Sequence, residues 1–94
     1  MSFADLNGRP TLAAHARLQI DPVSGDAVLL FPEGVMVLNA TAHDIVLRCD
    51  GETSVREIIA ALGEQYEVDE PTLRADALDC LAQLRERNLL VMKP

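Results

Sequence analysis

At residue 39 the spacing of the apolar residues changes. Up to Leu38 they come in alternation or in short runs, and from Ala42 onward they recur every third and fourth position. A chain whose strands come first and whose helices follow has no βαβ crossovers. It must stack a small antiparallel sheet against helices, which is the α+β class. At 94 residues the chain is long enough for one core and one domain.

Three strands are expected before the change. In "HARLQID" (15–21), Ala16, Leu18 and Ile20 alternate with Arg17 and Gln19. "PVSGD" (22–26) supplies a turn, and "AVLLF" (27–31) is the second strand. The Pro32-Glu33-Gly34 reversal leads into the third strand, Val35–Leu38. Connections this short make the set an antiparallel meander. Residues 1–14, with Gly8 and Pro10 and little periodicity, read as an N-terminal arm, either loose or packed on a neighbour, with the domain proper at 15–94.

Three helices follow. Asn39 or Thr41 can cap the first, which buries Ala42, Ile45, Val46 and Cys49 and is expected to stop at Asp50-Gly51 with Gly51 in the left-handed position. Ser54 and Glu57 form a capping box for the second, whose stripe is Val55, Ile58, Ile59 and Leu62. A turn around Gly63 to Asp69 leads to a third helix that begins near Pro71. That helix buries Leu73, Ala77, Cys80 or Leu81, and Leu84, and Asn88 is its expected C′ residue. "LLVM" (89–92) resumes as an extended tail. The whole reads as a winged helix-turn-helix-like architecture.

The third strand poses a question. Val35, Met36, Val37 and Leu38 are apolar on both faces, whereas a half-wet strand alternates. Either both faces are covered, one by helices and the other by the arm or a second molecule, or the strand is an open edge. Open edges are normally blunted by charge or proline, and this one carries neither. Its unpaired main-chain groups could then take a peptide as a further strand, with the third helix as the groove wall.

Charge narrows the partners. Eight Lys and Arg against 15 Asp and Glu give a formal charge of −7, which repels nucleic-acid phosphates and anionic membrane surfaces. No apolar run approaches the roughly 20 residues of a bilayer span, and "MSFADLNGRP" has no signal-peptide core, so a cytoplasmic location is expected. Cys49 and Cys80 have no C-x-x-C or histidine pair beside them and read as reduced core thiols, with no metal expected. No catalytic group is assigned: His43 and Cys49 stand six positions apart on one helix, about 240° around it, and no phosphate-binding or metalloprotease motif occurs. No serine stands in the setting of a phosphopantetheine carrier. The chain reads as a non-enzyme without a cofactor.

Several stretches together resemble the PqqD family, the pyrroloquinoline quinone (PQQ) biosynthesis protein D group. They are "RLQID" at 17–21, "LLFPEGVMVLN" at 29–39, "DIVLRCDG" at 44–51, the Ser54–Leu62 segment, Tyr66, and "DCLAQLRERNLL" at 79–90. The most specific pieces are Pro32-Glu33, Leu38-Asn39 and Cys49-Asp50-Gly51, in that order. Asn88 stands where a glycine is usual, and the arm before residue 15 has no clear counterpart. The resemblance implies a chaperone of the precursor-peptide recognition type. Such a protein binds the ribosomally made PQQ precursor peptide and presents it to a radical S-adenosylmethionine enzyme, which crosslinks a glutamate and a tyrosine. Carried onto this chain, the peptide would pair with Gly34, Val35, Met36, Val37 and Leu38. It would lie on the exposed flank of 73–84, where Leu73, Arg74, Ala77 and Leu81 are the candidate contacts, and Asp50-Gly51 would hold a helix end rather than the peptide.

Two other readings share the fold. A winged-helix DNA-binding regulator would want basic residues on the third helix, which instead mixes Asp76, Asp79 and Glu86 with Arg74, Arg85 and Arg87. A structural homodimer would pair the arm or the edge strand with a second copy.

Overall fold

The computed structural model describes residues 6–94. Its elements run β1 (Arg9–Leu12), β2 (Arg17–Ile20), β3 (Ala27–Phe31), β4 (Gly34–Leu38), α1 (Ala40–Leu47), α2 (Val55–Gln65), α3 (Glu70–Glu86) and β5 (Leu90–Lys93). The expected meander is β2-β3-β4, in that order and antiparallel throughout. Three helices follow it, so the fold is α+β and winged helix-turn-helix-like. No helix among the described residues is long and apolar enough to cross a membrane.

Local chemistry sets the helix ends. The Asn39 side chain accepts a hydrogen bond from the Ala42 amide at 2.8 Å and caps α1. Ser54 and Glu57 form the full capping box on α2. Asp69 caps α3, with Pro71 in its first turn. At the far end of α3, Asn88 takes the left-handed conformation (φ 60°). The Leu89 amide then donates to the Leu84 carbonyl and the Asn88 amide to Arg85, a Schellman pair that turns the chain into β5.

Three boundaries differ from the sequence reading. The helix α1 ends at Leu47 with Arg48 as its cap, so Gly51 is not its C′ residue. Gly51 instead has φ +80° in the loop beyond, where its amide donates to the Pro10 carbonyl at 2.9 Å. A Cβ there would stand 3.2 Å from Lys93 Nζ and 3.4 Å from Thr11 Cβ, so glycine serves a close approach of strands as well as the turn. Gly63 lies inside α2, and the turn before α3 is only residues 66–69. Finally, the arm packs against the extended tail, and the two form a second sheet: β1 pairs antiparallel with β5, Arg9 opposite Lys93 and Leu12 opposite Leu90. The first residues of the arm lie outside the described residues.

The core sits between the inner face of the meander and the three helices. Leu29, Ile45, Val55, Ile58, Leu62, Ala77, Leu81 and Leu89 are fully buried there. Tyr66 ties α2 to α1 by donating its hydroxyl to the Asp44 carboxylate, which raises the phenol's pKa. Arg48 spans the same pair, donating to the Asp44 carbonyl and to Gln65 Oε1.

Candidate functional site

Among the described residues no strand pairs with the outer edge of β4. The two-residue reversal closes on Phe31 opposite Gly34, and such a pair must exchange both hydrogen bonds, since no other bonding fits a loop this short. From there the ladder alternates. Gly34, Met36 and Leu38 bond to β3, and the N–H and C=O groups of Val35 and Val37 point away from it. Side chains alternate as well: Leu38 is buried, Met36 is half-buried, and Val35 and Val37 are 58% and 65% exposed. The strand is therefore apolar on both faces for two reasons. One face seals the core, and the other stands in solvent among the described residues.

Beside this edge runs a groove of about 360 Å³ between β4, α1 and α3. Met36, Leu38, Ala42, Ile45 and Leu84 give it an apolar floor, and Asp76, Asp79, Cys80 and Gln83 come from α3 as its far wall. Asp76, Asp79, Cys80 and Gln83 fall on one flank because i, i+3, i+4 and i+7 positions share a helix face. Gln83 donates to the Asp79 carboxylate at 2.9 Å. Burial, and then the neighbouring Asp79, push the Cys80 thiol up to about 11, so it is a neutral thiol at pH 7. Cys49 lies behind the groove in the core, its thiol pushed to about 12 by burial, with Cys80 and Asp50 adding to the shift.

The five strand candidates, Gly34 to Leu38, form β4 as a unit. The helix candidates divide differently. Leu73, Ala77 and Leu81 are buried, at 3%, 0% and 0% exposure, and have no surface to offer a partner. The sequence reading chose them because the 3.6-residue period marks a helix's core stripe, and the groove wall is the adjoining flank. Arg74 is exposed but stands elsewhere, paired with Glu70 at 2.9 Å over a hollow between α2 and α3. That period does not single out the wall residues Asp76, Asp79, Cys80 and Gln83 as contacts. They lie one or two positions off the buried stripe of Leu73, Ala77, Leu81 and Leu84.

Asp50 does not hold the end of α1, which Arg48 caps; it organises the loop beyond. Its carboxylate accepts from the Glu52 and Thr53 amides and the Thr53 hydroxyl, and these bonds hold its pKa below the usual carboxylate range. The loop it shapes docks on β1 through the Thr11–Asp50 bridge, away from the groove lining.

The arrangement is a small α+β, winged-helix-like domain whose edge strand faces a helix across a groove. Known proteins share this fold. The solution structure of the PqqD part of Methylobacterium extorquens PqqCD, a stand-alone recognition element for ribosomally synthesized and post-translationally modified peptides (RiPPs), superposes with a TM-score of 0.74 at 34% identity, covering 87% of each chain. Lasso peptide synthetase B1 complexed with its leader peptide superposes at 0.75 and 25% identity, covering 88% of this chain and 98% of that one. Among sequence relatives, the PqqA binding protein of Azotobacter vinelandii is 38% identical over 88 residues, 94% of this chain and 95% of that protein. The PqqA binding protein of Xanthomonas oryzae pv. oryzae (strain PXO99A) is 34% identical over 90 residues, 96% and 98% of the two chains. Residues 26–90 match the model of the family described as coenzyme PQQ synthesis protein D (PqqD). The chain belongs to the PqqD family.

Proposed function

We infer that this chain is a non-catalytic chaperone in PQQ biosynthesis that captures the precursor peptide as an additional strand on β4 and holds it against α3. The observation that carries this reading is the edge itself: Val35 and Val37 offer outward main-chain donors and acceptors beside an apolar-floored groove. The relatives named as binding PqqA, and the neighbours solved with leader peptides, support it. Captured in extended form, the peptide would be presented to the radical S-adenosylmethionine enzyme that crosslinks its glutamate and tyrosine. The chaperone contributes effective concentration and geometry, with no bond made or broken on it.

Amide NMR during a titration with synthetic PqqA tests this. Shifts concentrated at Gly34–Leu38 and along Asp76–Gln83, with β1 and β5 unmoved, are expected. If the radical enzyme must be present before shifts appear, the chain is an adaptor that needs its partner. Shifts confined to other surfaces, or none under either condition, would remove the strand-addition reading.

A further inference from the structure

We propose that the groove selects a peptide carrying a lysine or arginine on the face that meets α3, with Asp76 and Asp79 as the residues that read it. The proposal rests on strand addition at β4 and adds the chemistry of the side chain selected. A strand paired to β4 must alternate as β4 does. Its residues opposite Val35 and Val37 project to the open side of the sheet, and those opposite Met36 and Leu38 project into the groove.

The second set meets two surfaces of different chemistry. The floor is apolar, but the α3 wall presents two carboxylates three residues apart, and no Lys, Arg or His is among the lining residues. A docked strand takes water away from those carboxylates. Desolvated without a new donor they would oppose binding, and an apolar side chain supplies no donor. A lysine or arginine fits both surfaces. Its methylene stem can lie along Met36 and Leu38 while the charged head reaches the acids. Gln83 already donates to one oxygen of Asp79, which leaves the other and the Asp76 carboxylate for the incoming cation. Glutamate at the same peptide position would place like charges together.

The protein's overall charge of −7 would favour any cationic peptide, so the test must separate the local pair from the global field. Each position of synthetic PqqA is replaced in turn by lysine and by glutamate. Affinities are measured for the wild-type chain and for the Asp76→Asn/Asp79→Asn variant, which keeps the shape and sits on an exposed helix flank. We expect lysine to be preferred over glutamate by about fivefold at alternate positions of the pairing segment, the size of one or two exposed ion pairs. The preference should largely vanish in the variant. A preference spread evenly along the peptide, or one that survives in the variant, overturns the proposal and leaves strand addition intact. Loss of all binding to the wild-type chain would remove both.

Discussion

The meander has two outer edges, β2 and β4, and their side chains differ. The β2 edge carries the polar Arg17 and Gln19, with Asp21-Pro22 ending it, although Ile20 is exposed there as well. The β4 edge has no charge and no proline between Gly34 and Leu38, and it exposes two valines. Among the described residues both edges leave main-chain groups without a strand partner, so hydrogen-bonding capacity does not separate them. The difference lies in what surrounds those groups. The β4 edge opens onto a groove with a helix for its far wall. An apolar edge is a hazard in a protein that must stay alone and an asset in one that must take up a strand.

The strongest way to break this comparison is to remove one outward donor from each edge. The β3–β4 register gives Val37 an outward N–H, and since β3 alternates its bonds between neighbours, Ile20 on β2 has one too. A proline at either place spares the bonds to β3. We expect Val37→Pro to weaken PqqA binding about tenfold or more, from a lost hydrogen bond plus a clash with the incoming strand. Ile20→Pro should leave it within about twofold, with circular dichroism unchanged for both. Equal losses would mean that the edges are not distinguished by design. A milder version gives β4 the defence of β2. Val37→Lys keeps the donor but adds an exposed charge, and we expect affinity to fall about fivefold, measured by fluorescence anisotropy.

The same contrast explains what could be read in advance. The strand-then-helix order, the caps at Asn39 and Ser54, the left-handed Asn88 and the core stripes are all local. Each depends on residues within a few positions of one another, and each was legible. The β1–β5 sheet was not, because Arg9–Leu12 owes its strand conformation to residues about eighty positions away, and Gly8 and Pro10 break any local period. The groove wall was missed for a related reason. Hydrophobic periodicity marks the face of α3 that is always covered, so it pointed to Leu73, Ala77 and Leu81. The adjoining flank has mixed composition, and Asp76, Asp79 and Gln83 look like ordinary solvent-facing residues.

Cys80 offers a smaller effect and a direct reporter of the groove. Its thiol lines the wall while Cys49 is buried in the core. With iodoacetamide, followed by mass spectrometry, Cys80 should be alkylated faster than Cys49. Its rate should rise about tenfold per pH unit toward about 11, because only the thiolate reacts. Bound PqqA should slow Cys80 about threefold while Cys49 stays unchanged, since a strand on β4 narrows the approach to one thiol only. Equal protection of both would indicate global tightening rather than occupancy of the groove.

The smallest effect asks whether the open edge depends on the closed sheet. Asp50 organises the loop that docks on β1, and its backbone amide partners lower its pKa from the ordinary 3.8. A carboxyl with a depressed folded-state pKa contributes stability that is complete above its unfolded value and is lost as pH falls through the folded one. The thermal unfolding midpoint of the wild-type chain should therefore fall as pH drops below 3.8. Asp21, Asp69 and Glu57, lowered in the same direction by their own hydrogen bonds, should contribute to that fall. Asp50→Ala should start from a lower midpoint at neutral pH and decline less on the acid side, since its share has already been removed. Its affinity for PqqA at pH 7 should match the wild type, because the loop is no part of the groove lining. A variant that unfolded no more easily but bound more weakly would reverse that assignment and tie the Asp50 loop to the peptide rather than to the sheet that joins β1 and β5.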